Sequence, residues 1–389
     1  MSADVTARPA GAVPVPRYGA GSLGEVLPSI AAALGAPGFE DLLGLGELAA
    51  ACLLLVDGLG WEALAHGVAE APFLSEAAAG GRAITTAFPS TTVTSFASLG
   101  TGAAPSRHGL VGYTLGLSGY ERPVNLLRWT VSGVDVRGEI VPEEFQPEST
   151  VYERAARSGL RATVLGDSEH ARSGLTRATL RGAEYVPVYS PGDVAATAAE
   201  RLRGGSRLVH AYYPGLDLTG HLRGSDSESW ALEIGHVDRI ADDLAGRLPA
   251  GGALIIVGDH GMIDVRDDQK VDLGEHPELL EGVRLVAGEP RARYVYARPG
   301  AEADVLSAWR DLLGDRMWVV SRDEAVAGGW FGPGVADRVR LRIGDVIAAA
   351  REPVAVVQRD TDGLMAALIG NHGSLTAAEQ LVPFIVVRR

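Results

Sequence analysis

Strand-length apolar runs recur along this chain, and stretches of helical periodicity lie between several of them. The runs are Leu53 to Val56, Ile84 to Phe88, Ala162 to Leu165, Arg207 to Tyr213, Ala253 to Val257, Val354 to Val357 and Phe384 to Val387, bounded by Gly or Asp. Between them, 151–158, 194–203 and 229–248 carry apolar residues at three- and four-residue spacing. Trp230, Ile234, Val237, Ile240 and Leu244 share one face of the last. Alternating strand and helix predicts an α/β protein with a mainly parallel sheet covered on both faces.

The 389 residues suffice for one large α/β domain carrying an insertion. Two segments fit the alternation less well. Leu115 to Gln146 is rich in Gly, aromatic and charged residues and reads as an excursion beside the sheet edge. Arg293 to Pro333 holds strand-like RYVYAR, helix-like ADVLSAWRDLL and strand-like MWVV, a β-α-β pattern expected to form a small lobe over about 270–360. The Pro/Gly/Ala-biased start is expected to be a flexible arm over 1–20, leaving 21–389 as the folded domain.

Charge narrows the partners. The net charge is −14 and the basic residues are scattered, so neither a nucleic-acid duplex nor an anionic membrane is an expected partner. The long uncharged stretch from Ala83 to Ser106 contains ten Ser or Thr residues and two prolines, which argues against a membrane span. One cysteine, Cys52, lies in an apolar run, so no intrachain disulfide forms. With no apolar signal region near residue 1, cytoplasmic residence is the expectation.

In open parallel sheets ligands collect at the carboxyl ends of strands, and acids stand there three times. LLLVDGLG places Asp57 after one strand, LDLTGH places Asp217 and His221 just past another, and ALIIVGDHG ends a third with Asp259 and His260. Near the C-terminus GNHGS adds His372 between backbone-permissive residues. A single Asp in such a position usually caps a helix or forms a turn. Three Asp and three His together supply enough ligands for two metal ions, and mixed oxygen and imidazole donors suit zinc, with manganese or iron less favoured. The remaining histidines, His66, His108, His170, His210, His236 and His276, have no such setting and read as surface or core residues.

A hydroxyl cluster completes the set. In FPSTTVTSFASLGTG, Pro89 turns the chain and Ser90, Thr91 and Thr92 crowd a helix start, with Phe96 and Leu99 beginning its apolar face. Free N–H groups at a helix start bind phosphate-like anions, and a hydroxyl beside a metal becomes a nucleophile. Elsewhere such a cluster is only a cap.

VDGLG, FPSTTVTSFASLGTG with SRHGLVGY, LDLTGH, GDHGM and NHGS occur in an order that resembles the alkaline phosphatase superfamily, in its type I phosphodiesterase and nucleotide pyrophosphatase branch. The resemblance runs from Leu53 to the C-terminus. It implies a three-layer α/β sandwich with helices on both faces of the central sheet, plus a small inserted lobe. It also implies two zinc ions, one held by Asp57, Asp259, His260 and the nucleophile, the other by Asp217, His221 and His372. By the resemblance, the family's spacing from its nucleophile to the pairs here at Thr101-Gly102 and His108-Gly109 implies Thr92 rather than Thr91 or Ser90. The family's phosphoryl-binding Asn position is Tyr113 here, a phenol in place of an amide.

The activity implied is hydrolysis of phosphodiester or nucleotide pyrophosphate bonds in a small-molecule substrate, through a phosphothreonine intermediate. Its nearest rival is a phosphomonoesterase, which needs an added cation, and Arg107 and Arg223 are the candidates for it. A phosphonate hydrolase is a further enzymatic rival, and a non-catalytic binding protein is the non-enzymatic one. The Thr92 to Asp217 gap is too short for a mutase's inserted domain, and the only Cys lies in a strand, against a sulfatase.

Overall fold

The computed structural model describes residues 14–65 and 69–389. His66 lies outside the described residues, as do the first thirteen positions of the N-terminal segment. Within that segment, the Arg17 amide donates to Thr85 Oγ1 at 2.8 Å and the Tyr18 hydroxyl donates to the Trp330 carbonyl at 2.9 Å.

A seven-stranded sheet forms the centre, in the order Arg82–Thr85, Leu381–Arg388, Gly252–Gly258, Ala50–Val56, Leu208–Tyr213, Ala162–Gly166 and Glu184–Pro187. The last five run parallel, and Leu381–Arg388 pairs antiparallel with both of its neighbours. Ala50–Val56 is buried throughout because it needs cover on two faces. Its residues alternate between two cores. Ala51, Leu53 and Leu55 join Val26, Ile30, Phe96 and Leu99 on one side, while Cys52, Leu54 and Val56 join Val194, Ile234, Val237 and Ile240 on the other. Burial pushes the Cys52 thiol up to about 12, which keeps it an inert core residue.

The small lobe is a four-stranded sheet in the order Val283–Glu289, Ala292–Ala297, Val346–Ala350, Met317–Ser321, covered by the helix Glu302–Leu313. The β-α-β pattern is present, but Val346–Ala350 sits between its two strands and pairs antiparallel with both. The run expected over 354–357 pairs with Lys270–Asp272 outside the central sheet. Strand Arg82–Thr85 stops short of Phe88, and the Phe88–Pro89 bond that follows is cis. The 115–146 excursion is a meander of two-residue strands, Thr114–Leu115, Val124–Asn125, Thr130–Val131 and Val134–Asp135. No helix among the described residues is long and apolar enough to cross a membrane.

A candidate two-metal active site

Register places the acids. Val56 is level with Gly258 on one side and Tyr213 on the other, so Asp57 and Asp259 emerge side by side at the carboxyl edge. Beyond Tyr213 the chain turns into the helix Gly215–Arg223, where Asp217 and His221 lie one turn apart. Gly58 permits the close approach: its φ is +76°, and a Cβ there would stand 2.9 Å from Asp217 Cα. Gly261 is equally constrained, since an added Cβ would meet the Ala378 carbonyl at 1.9 Å.

Thr92 begins the helix Thr92–Thr101. Its Oγ1 lies 3.3 Å from His260 Nε2 and 3.5 Å from Asp57 Oδ1. The hydroxyls before it do not cap the helix. Thr91 is the N-cap residue but its side chain accepts no cap bond. Ser90 instead ties down the loop carrying His372: its Oγ donates to the Ser374 carbonyl at 2.8 Å and accepts the Gly373 amide at 3.1 Å.

Two triads result, Asp57, Asp259 and His260 in one and Asp217, His221 and His372 in the other, each able to offer three donor atoms within 4.8 Å of one another. They adjoin, with the His260 and His372 rings stacked at 3.6 Å. All three imidazoles are oriented in the same way. Nδ1–H donates to a backbone carbonyl, from His221 to Gly370 at 2.7 Å, from His260 to Gly261 at 3.0 Å and from His372 to Ser90 at 2.8 Å. Each Nε2 lone pair is thereby left for a ligand, the usual support of a metal-bound histidine. The carboxylates match. Asp259 Oδ1 accepts the Gly58 and His260 amides at 3.0 and 2.9 Å, while its buried Oδ2 has no hydrogen-bond partner. Asp217 Oδ1 is also buried and without a hydrogen-bond partner. Orphaned buried carboxylate oxygens facing free imidazole nitrogens are the donor set a divalent cation satisfies.

Electrostatics agree. Burial disfavours charge on His260, but Asp259 and Asp57 outweigh it and hold the ring protonated up to about 10. Burial, then the charge of Asp57, pushes the Asp259 carboxyl well up. Burial opposes ionisation of Asp217 as well, yet His221 prevails and holds it below the usual carboxylate range. A cation in either triad competes with these protons, so its binding releases them and weakens as pH falls.

Three residues beside the site carried no motif. Tyr212, paired in register with Leu55, donates its hydroxyl to Asp57 Oδ2, which leaves Oδ1 facing Thr92 and His260. Glu289, at the end of a lobe strand, accepts the Tyr113 amide at 2.7 Å on Oε1, while its buried Oε2 has no hydrogen-bond partner. Asn125 of the excursion donates to the Tyr113 hydroxyl at 2.7 Å. Their only sequence signal is position beside a strand end or in an insertion, and such positions are occupied by any residue type.

Burial raises the Glu289 carboxyl from 4.5 to about 7, against the Tyr113 amide and Thr91 hydroxyl, which favour its charge. A carboxyl raised by folding binds more protons in the native state, so stability falls as pH rises from about 4.5 to about 7. Glu289→Gln is expected to remove on the order of 3 kcal/mol of that fall from the metal-free protein. Denaturant unfolding at pH 5 and pH 8 in chelator checks it, and an unchanged pH slope refutes it.

The sequence matches the family model for type I phosphodiesterase / nucleotide pyrophosphatase over residues 51–375. The chain belongs to this family. It is therefore a hydrolase of the phosphodiesterase and pyrophosphatase class. Comparison with curated proteins gave no match. Among solved structures, the fold is similar to murine ectonucleotide pyrophosphatase / phosphodiesterase 5, with a TM-score of 0.67 and 18% identity over 87% of this chain and 88% of that one. The human protein of that name gives 0.67 and 18% over 87% of each chain. Phosphonoacetate hydrolase from Sinorhizobium meliloti 1021, solved with phosphonoformate, gives 0.64 and 20% over 87% of this chain and 90% of that one.

Not every motif of this family member faces the site. His108 of SRHG is buried: its Nδ1 accepts the Leu110 amide at 3.1 Å, so Nε2–H donates to Ser98 Oγ at 3.0 Å and ties the loop to the Thr92 helix. His210 packs in the core against Tyr152, and His170, His236 and His276 stand beside surface carboxylates. Arg107 is 64% exposed and pairs with Glu148 at 2.7 Å. Arg223 ends the helix that carries Asp217, and none of the hydrogen bonds around Thr92 involves either arginine.

Proposed function

We propose that this family member hydrolyses phosphodiester or nucleotide pyrophosphate bonds with Thr92 as nucleophile and two divalent cations, zinc by donor type. The observation that carries the reading is the adjoining pair of triads with Thr92 Oγ1 within 3.5 Å of Asp57 and His260. Asp57, Asp259, His260 and Thr92 would hold one cation; Asp217, His221 and His372 would hold the other. Bound there, the ions supply Lewis acidity for the attacking and leaving oxygens.

The chain's own groups do the rest. Asp57, fixed by Tyr212, keeps Oδ1 directed at the Thr92 hydroxyl, so that hydroxyl is held in one place before reaction. The first amides of the Thr92–Thr101 helix carry no side-chain cap and can hold a phosphoryl oxygen. Attack by Oγ1 forms phosphothreonine and expels the leaving group, and water then cleaves that ester. Support for a threonine nucleophile comes from a solved murine relative described as inactive after a Thr to Ala change and complexed with AMP.

Charge selects the ester. Three carboxylates against two divalent ions leave one formal positive charge for a singly charged phosphodiester. Residues 90–102 are neutral and Arg107 is paired with Glu148, so neither supplies the extra cation a dianionic monoester requires. With metal-loaded protein, kcat/KM for an aryl phosphodiester or nucleotide pyrophosphate is expected to exceed that for the aryl monoester by at least about tenfold, roughly 1.4 kcal/mol. A monoester preference overturns this assignment. The likeness to phosphonoacetate hydrolase supports a second reading, cleavage of a small phosphonate, so phosphonoacetate belongs in the same panel.

A further inference from the structure

A cavity of about 660 Å³ lies between the small lobe and the 115–146 excursion, within the size range of small-molecule sites. None of the six Asp and His side chains of the triads lines it; its walls include Tyr113, Arg122 and Asn125 from the excursion side, Arg284 and Gln358 from the lobe, and Met365 just after it. Glu289 joins cavity and reaction centre. Its carboxylate accepts the Tyr113 amide and faces the Thr91 hydroxyl beside Thr92, and its Cβ would touch a Cβ on Gly373, next to His372, at 3.1 Å.

The donors in the cavity are set by Asn125. Its Oδ1 accepts the Arg128 amide at 2.9 Å, which turns Nδ2 toward the phenol, where it donates to Tyr113 Oη at 2.7 Å. The phenol therefore accepts from Asn125 and keeps its own proton, for which no described residue serves as acceptor. Burial raises the phenol further above neutrality, so that proton stays in place. Three arginines, Arg122, Arg284 and Arg293, stand against two carboxylates, Glu121 and Asp362, on the wall, an excess of one positive charge. Arg293 is paired with Asp362, Arg284 lies over the Tyr296 ring at 5.5 Å, and Arg122 has no carboxylate partner among the described residues.

We propose that this cavity is the subsite for the leaving group, that it favours one bearing an oxyanion such as a phosphate or carboxylate, and that Asn125 is a positioning residue that presents the Tyr113 proton to it. The assignment rests on the hydrolase reading above and adds the half of the substrate that departs.

Three substrates sharing a thymidine 5′-phosphoryl group test it, with 4-nitrophenol, 4-carboxyphenol or, from the triphosphate, pyrophosphate as the leaving group. Tyr113→Phe is expected to lower kcat/KM for the pyrophosphate- and carboxyphenol-leaving substrates, relative to the nitrophenyl ester, by at least tenfold. Asn125→Asp is expected to do the same, because an aspartate accepts the phenolic proton instead of donating to the oxygen. Adding Asn125→Asp to Tyr113→Phe is expected to change the ratio by less than about twofold, whereas simple repulsion by the new carboxylate would persist. A loss confined to the triphosphate identifies the oxyanion as phosphate, and one confined to the carboxyphenyl ester identifies it as carboxylate. Equal losses on all three substrates place Tyr113 at the phosphoryl group and overturn the subsite. A second measurement needs no turnover: isothermal titration calorimetry of the metal-free full chain with inorganic phosphate and with 4-hydroxybenzoate. Binding that both variants weaken supports the subsite even if the hydrolase reading fails, and no binding of either ion overturns it.

Discussion

Thr92→Ala is expected to lower kcat on a phosphodiester by a factor on the order of 10⁴ or more while two metal ions stay bound. Loss of a nucleophile removes the covalent route itself, and comparable losses near 10⁶ are seen where a nucleophile acts as part of a unit. The fold has little reason to respond. Thr92 is the first helical residue and Thr91 remains as the extended N-cap, so Ala at 92 fits the helix. The six Asp and His donors are untouched. Thr92→Ser keeps an oxygen at the same place and is expected to restore part of the activity. Thr91→Ala is expected to be much milder, because its hydroxyl faces Glu289 rather than the triads. Single-turnover kinetics with mass spectrometry of a trapped phosphopeptide checks the assignment. A dead Thr91 variant beside an active Thr92 variant refutes it.

Asp259→Asn is expected to lose one equivalent of metal and at least about 10³ in kcat, roughly 4 kcal/mol of transition-state stabilisation. The amide oxygen still accepts the Gly58 and His260 N–H groups that Oδ1 holds, so the strand end keeps its shape. What disappears is the anionic Oδ2, buried and without a hydrogen-bond partner. In chelator the variant is expected to melt close to wild type, since relief of the repulsion between Asp57 and a second buried carboxyl offsets the loss of one of the two carboxylates that hold the His260 charge. Elemental analysis, activity and thermal melts with and without chelator separate these effects. Wild-type metal affinity is expected to weaken between pH 8 and pH 6, as the protons on His260 and Asp259 compete for the same atoms. Full metal content in Asp259→Asn, or activity indifferent to chelator, refutes the site.

The amino-acid sequence by itself determined the inner strands of the sheet and the acids that follow them. Runs such as ACLLLV and ALIIVG are apolar on both faces, and only a strand with helices above and below satisfies them. An acid directly after such a run must emerge at the carboxyl edge, so Asp57 and Asp259 were legible without coordinates. Local rules of this kind act within a few residues. The short strand Glu184–Pro187 and the lobe strand Val283–Glu289 escaped them, because their half-exposed residues lack a continuous apolar run.

Only the tertiary structure decided what meets the edge from a distance. The Ser90 carbonyl orients His372 across 282 positions, Tyr212 steadies Asp57 across 155, and Glu289 reaches Tyr113 across 176. Tyr113 itself was visible as a departure from the family pattern, but its partner Asn125 was not, since a two-residue strand in a meander leaves no periodicity to read. The Arg107 side chain shows the same limit in reverse: sequence places it one residue from a motif histidine, and packing turns it outward to Glu148. Periodicity and propensity fix backbone elements, whereas side-chain partners depend on register and packing between elements, which no local pattern encodes.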